Sequence, residues 1–134
     1  MKFSLSLPGS PISKPRPRAG KHGFYNPEAK EEKEAKEKIR EQLKLLPLLQ
    51  LPSENAISVH FCCFFRYPLS FSAKRKSATK WKTTRPDLDN LIKFYKDVLN
   101  DIVYKDDSQV VKLSGEKCYS LNEEKTIIYV EILD

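Results

Sequence analysis

Histidine and cysteine are scarce here, and neither falls in a pattern that would put it to chemical use. The two histidines, His22 and His60, stand far apart. The three cysteines, adjacent Cys62 and Cys63 and distant Cys118, have neither a zinc-binding spacing nor the even count of a disulfide framework. The histidines therefore read as structural or surface residues and the cysteines as buried, reduced thiols of a cytoplasmic protein. Nucleophilic catalysis by Cys or Ser with His has no support. No apolar run is long enough to span a membrane, and residues 1–7 are too few and too interrupted by serine to form a secretory signal.

Acids are missing from two long stretches, 1–27 and 66–86, which between them hold twelve of the 24 lysines and arginines. A chain whose positive charge is collected in blocks suits a polyanionic partner. The first block contributes Lys14, Arg16 and Arg18 in a loop rich in proline and glycine; the second contributes Lys74, Arg75, Lys76, Lys80, Lys82 and Arg85. These nine are the candidate phosphate-contacting residues. With 134 residues, 31% charged and 40% hydrophobic, the chain is expected to be one folded domain, 1–134, with a real core.

Periodicity gives the elements. Residues 2–7 alternate Phe3, Leu5 and Leu7 with polar residues, as a half-buried strand does. Asn26-Pro27-Glu28 has the form of a helix start, and the helix it opens is expected to run to about Leu46, with a thin apolar stripe of Ala35, Ile39, Leu43 and Leu46. Residues 56–65 form the clearest strand, Ile57, Val59, Phe61, Cys63 and Phe65 sharing one face. Residues 67–84 show no sustained period and read as a mobile loop that a ligand could order. A strand over 126–133 closes the chain.

Between them lies the stretch around which the chain is organised, 85–111, RPDLDNLIKFYKDVLNDIVYKDDSQVV. Leu88, Leu91, Ile92, Tyr95, Val98 and Leu99 fall at helical spacing, and Asp89 and Lys93 are neighbours at i, i+4. Extended chain from 106 would put Asp107, Gln109, Val111 and Leu113 on one face and Asp106, Ser108, Val110 and Lys112 on the other. The first of these faces is the one expected to meet the helix. The element order is then β-α-β-α-β-β, an α+β fold with a small mixed sheet and two helices. An ordinary reading is available for every acid: Asp87 as a helix N-cap, Asp89 as a first-turn acid favoured by the helix dipole, Asp106 and Asp107 as a turn.

The block Pro86-Asp87-Leu88-Asp89-Asn90-Leu91, then Lys93, then Asp106-Asp107-Ser108-Gln109-Val110, resembles the RusA-type Holliday-junction resolvases. Pro8-Gly9 and Lys14-Pro15-Arg16-Pro17-Arg18 are similar to that family's opening loop. The resemblance implies a homodimer, intertwined or two-fold, and a Mg²⁺-dependent endodeoxyribonuclease acting on four-way DNA junctions, with no small-molecule cofactor and no membrane. It also implies that Asp87, Asp89 and Asp107 hold the metal and that Lys93 stands at a functional lysine. Asp106 is left a supporting or phosphate-repelling role. Two competing readings are a DNA-binding module of the same fold without cleavage and a phosphohydrolase of small nucleotides. The complete acidic set weighs against the first and the long cationic blocks against the second.

Overall fold

In the computed structural model, which describes residues 1–14, 18–20, 23–25 and 29–134, the chain forms strands β1 (Lys2–Pro8), β2 (Arg18–Gly20) and β3 (Gly23–Tyr25), helix α1 (Ala29–Leu43) and strand β4 (Ile57–Arg66). It continues through helices α2 (Ala73–Ala78) and α3 (Leu88–Leu99) to strands β5 (Val110–Ser120) and β6 (Lys125–Ile132). The α+β class holds. To the expected order the structure adds a small β2–β3 hairpin and a third helix. The expected cap at 26–28 lies outside the described residues. No described helix is long and apolar enough to cross a membrane.

The main sheet has the order β1-β6-β4-β5, with β4 antiparallel to β6 and parallel to β5. Parallel neighbours cannot be joined by a hairpin, so the chain between β4 and β5 must cross over one face of the sheet. That crossover carries both the second cationic block and α3. The apolar stripe of α3 is what binds it down: Leu91, Phe94, Tyr95, Val98 and Leu99 are buried, against Val59, Phe61 and Ile128 among others. At about 1.5–3 kcal/mol for each fully buried side chain, this packing outweighs any polar contact the helix makes.

The docking is close because β5 offers a glycine where the helix crosses. A Cβ on Gly115 would stand 3.0 Å from Ile92 Cδ1 and 3.3 Å from Leu88 Cδ1. Two residues on, Lys117 Nζ donates to the carbonyls of Thr84 (2.8 Å) and Pro86 (2.7 Å), which fastens the segment ahead of the helix. The helix start thus lies over the middle of β5, and α3 runs antiparallel to that strand.

The stretch read from sequence as a mobile loop has its own order. Ser72 caps α2, the Tyr67 hydroxyl donates to the carbonyls of Lys76 (2.9 Å) and Thr79 (2.7 Å), and Tyr67 stacks on Tyr119 of β5 with ring centroids 4.7 Å apart. Beyond α2, Tyr119 N bonds to Lys80 O (2.8 Å) and Lys82 N to Lys117 O (3.1 Å), so the arm runs along the free edge of β5. Lone aromatics at 67, 71 and 119 carry no helical or strand period, which is why the sequence did not disclose this anchoring.

The opposite face of the sheet carries none of the described helices. There Ser58, His60, Cys62 and Phe64 of β4 alternate with the core residues and register against Lys112, Ser114, Glu116 and Cys118 of β5. Burial, then its hydrogen bond to Glu116, pushes the Cys62 thiol up to about 12. The donors Cys62 and His60 hold Glu116 below the usual carboxylate range.

Candidate active site

Asp87 stands at the N-cap position of α3 with extended backbone, φ −72° and ψ 140°, yet its side chain makes no capping bond; only its carbonyl is used, accepting from Leu91 N at 3.2 Å. The ordinary explanation for an acid at this position is therefore unmet. Asp89 follows in the first turn. Both residues are exposed, and among the described residues neither carboxylate accepts a hydrogen bond or forms an ion pair. Lys93 is also exposed, and the i, i+4 pair with Asp89 that its spacing allows is not formed.

Asp107 is positioned by different chemistry. The strand expected over 108–113, with extended chain from 106, begins only at Val110, because residues 107–109 form a 3-10 turn. Asp106 caps that turn. Its Oδ2 accepts from Ser108 N at 3.0 Å and from the Ser108 hydroxyl, which holds its carboxyl below the usual range. Gln109 completes the box: its Oε1 accepts from Lys105 N and Asp106 N, and its Nε2 donates to Ser53 O and Asn55 O at 2.8 and 2.9 Å. The expected alternation also fails further on, since Val110 pairs with Ile57 and Lys112 with Ser58. Val111 is thus left over as a bulge, 60% exposed, while Val110 packs on the core. Turn chemistry at Asp106 and Gln109 overrides the period-2 pattern.

The turn presents Asp107 to the second half of α3. Asp107, Lys93, Lys96, Asp97 and Lys14 line a cavity of about 210 Å³. Lys14 enters from the loop after β1: its backbone N–H donates to Asn90 O at 3.0 Å and its ammonium pairs with Asp97. Tyr104, fully buried, donates its hydroxyl to Lys96 O at 2.7 Å. Burial keeps that hydroxyl protonated, and the charges of Asp107 and Asp97 add to the effect. Three ammonium groups and two carboxylates at one concavity leave it cationic, as suits a phosphate.

Of the expected metal set, Asp87 and Asp89 are together at one end of α3 and Asp107 is beside its middle and far end; their carboxylates do not close within 4.8 Å as a threesome. The antiparallel run of α3 on β5 is the cause, since it carries the helix start away from the residue that precedes the strand. Lys93, one turn beyond Asp89 and on the cavity with Asp107, is the link between the two halves. Lys96 and Asp97 escaped the sequence reading. The spacing i, i+4, i+7, i+8 from Asp89 puts them on Lys93's face of the helix and could have found them.

Of the expected phosphate contacts, Lys74, Arg75, Lys80 and Arg85 are exposed, and Lys76 and Lys82 are half-buried. Arg75 lies over the Phe71 ring at 3.8 Å and Lys80 over Trp81 at 4.5 Å, contacts that leave the charges facing solvent. Lys82 donates to Thr84 Oγ1 at 2.9 Å. Arg18 belongs to β2, and Arg16 lies outside the described residues. A larger cavity of about 570 Å³, between the 48–55 loop and Ile132, is lined by backbone, aliphatic groups and the Lys105–Glu54 pair; it offers no comparable set of groups.

A family model described as Endodeoxyribonuclease RusA matches residues 8–132. An uncharacterized protein of Bacillus subtilis (strain 168), YqaN, is 35% identical over 134 residues, 90% of this chain and 88% of that protein. A crossover junction endodeoxyribonuclease of Lactococcus phage r1t is 44% identical over 62 residues, 46% of this chain and 45% of its own length.

Proposed function

The chain belongs to the RusA endodeoxyribonuclease family, and from that membership we propose that it is a divalent-metal-dependent nuclease that resolves four-way DNA junctions by paired nicks. The observation that carries the reading is the start of α3, where Asp87 and Asp89 stand exposed, with no partner among the described residues, directly after a cationic arm. Carboxylates that neither cap nor pair are free to serve a ligand.

The donor set fits magnesium, a hard cation that takes oxygen ligands, keeps several waters and needs few protein carboxylates. Asp87 and Asp89 are the residues that would hold it, and Asp107, which does not close on them in this structure, would join them only through a movement of the 107–109 turn; bound there, the ion would supply an activated water and neutralise charge on the phosphate. Lys93 stabilises negative charge developing between the two carboxylate groups. Lys14 and Lys96 draw a phosphate into the cavity, with Asp97 fixing Lys14 in place. Lys74, Arg75, Lys80, Lys82 and Arg85 hold flanking backbone, and the substrate, a nucleic acid of the cytoplasm, needs no small-molecule cofactor.

Incubated with a labelled four-way junction and the matched linear duplex, the protein is expected to cut the junction symmetrically in Mg²⁺ and to leave it whole in EDTA. Binding should weaken steeply with salt. Neutralising exposed Lys74, Arg75 and Lys80 one at a time should lower the salt slope by about one for each phosphate that the variant can no longer neutralise. Tight, salt-sensitive binding with no cleavage in any divalent metal would favour the binding-module reading.

Two matched cuts on opposing strands need two equivalent sites, and a two-fold dimer provides them. Sedimentation at micromolar concentration should give a dimer; a monomer that resolves junctions fully would sink this part of the proposal.

A further inference from the structure

The face of the sheet opposite α3 brings together three ligand-type groups that have no part in the acidic site. His60 Nε2 lies 3.3 Å from Glu116 Oε1, the Cys62 sulfur lies 3.1 Å from the same oxygen, and all three ligand atoms fall within 4.8 Å of one another. The arrangement follows from strand geometry. His60 and Cys62 are two apart on β4 and so share a face, and the parallel register sets Cys62 directly against Glu116 of β5. We propose that His60, Cys62 and Glu116 form a binding site for a thiophilic divalent cation, zinc above all, that clips β4 to β5.

Size supports it. A tetrahedral zinc ion, with bonds of about 2.0 Å to nitrogen and oxygen and about 2.3 Å to sulfur, spaces its ligands roughly 3.3–3.6 Å apart. The His60–Glu116 pair at 3.3 Å therefore already has the spacing, and the Cys62–Glu116 pair at 3.1 Å has to open by only a few tenths of an ångström. Orientation supports it as well. His60 Nδ1 stands 2.6 Å from Ser114 Oγ, and a proton donated there leaves the Nε2 lone pair aimed at a carboxylate oxygen. A cation bound between Nε2 and the carboxylate would select this tautomer over the one that donates to Glu116, and a partner on the far ring nitrogen is how ligating histidines are commonly held.

Access and selectivity complete the case. Cys62 is buried at the bottom of the site while the His60 and Glu116 side chains are about one-third exposed, which opens the fourth position to water. Thiolate and imidazole select zinc-like ions over magnesium, so this site and the aspartates on the other face would not compete for one metal. On binding, the sulfur–hydrogen bond of Cys62 gives way to a sulfur–metal bond, and the proton passes to buffer.

The test uses Co²⁺ as a spectroscopic probe for zinc, on the full chain. The wild type should develop a thiolate-to-cobalt charge-transfer band that saturates at one equivalent and is displaced by zinc but not by excess Mg²⁺. Cys62→Ser should abolish the band and Asp89→Asn should leave it intact. Exposed Ser114→Ala, which removes only the partner of Nδ1, should weaken cobalt binding roughly tenfold to a hundredfold. Zinc should raise the melting temperature of the wild type by several degrees and do so less in His60→Gln. No band in the wild type, a band undiminished in Cys62→Ser, or loss of the band in Asp89→Asn would each overturn the proposal. Should Cys62→Ser not fold, unchanged cobalt affinity in His60→Gln overturns it equally, leaving the cluster a plain histidine–glutamate ion pair.

Discussion

Asp89→Asn is expected to slow junction cleavage roughly a hundredfold to a thousandfold while leaving fold and junction binding nearly as they were. The rate figure is the several kcal/mol of transition-state stabilisation that a bound metal supplies, at 1.36 kcal/mol for each factor of ten. The structural cost is small because Asp89 is exposed and, among the described residues, makes no hydrogen bond or ion pair. Asparagine keeps the shape and has a similar helix propensity, so what the fold loses is one first-turn charge on the helix dipole, worth about 0.3–1 kcal/mol. The two effects differ enough to separate. Single-turnover cleavage beside urea unfolding of the same preparation checks both, and cleavage at the wild-type rate in Mg²⁺ would remove Asp89 from the site.

The helix that carries Asp89 was the most legible part of the chain, because six apolar residues at helical spacing leave it one way to pack. Strands β1, β4 and β6 were read within a residue or so for the same reason: each has one face in the core. What could not be read depended on partners distant in sequence. The arm at 67–84 is ordered by Tyr119, which follows it by a whole helix and strand. Gly115, Lys117 and the close seat of α3 are visible only once β5 is known to lie beneath the helix. His60 and Cys62 have no ligand spacing along the chain; the parallel register of β4 with β5 is what supplies Glu116.

The acidic site was legible as a list of residues and illegible as a geometry. Sequence identifies the acids and the family pattern they share, but the distance from Asp89 to Asp107 depends on the direction of α3 over β5. Eight residues separate Asp89 from Asp97, about 12 Å along a helix axis, and Asp107 shares its cavity with Asp97. Lys93 and Lys96 occupy the ground between, which makes the surface from Asp89 to Asp107 a strip with cations between acidic ends. A phosphodiester backbone laid along it would meet lysines at its phosphates and carboxylates at either side.

Of the adjacent pair, Asp107→Asn is expected to lose nearly all cleavage, roughly a hundredfold or more, and Asp106→Asn to keep a measurable part. Strand alternation cannot be the reason, since 107–109 is a turn; the reason is what each carboxylate faces. Asp106 Oδ2 is occupied by Ser108 N and the Ser108 hydroxyl, whereas Asp107 opens on the cavity that holds Lys93. Asparagine at 106 still offers an amide oxygen to Ser108 N, so the cap survives and Asp107 stays where it is. Alanine at 106 offers none, and the loss of about 1 kcal/mol in capping should loosen the turn and reduce cleavage through Asp107 rather than directly. Cleavage rates at saturating Mg²⁺ for Asp106→Asn, Asp106→Ala and Asp107→Asn therefore form a graded series. Should Asp106→Asn prove the more damaging of the two asparagine variants, the capping carboxylate must leave Ser108 when DNA and metal bind, and the turn itself would be the part of the site that moves.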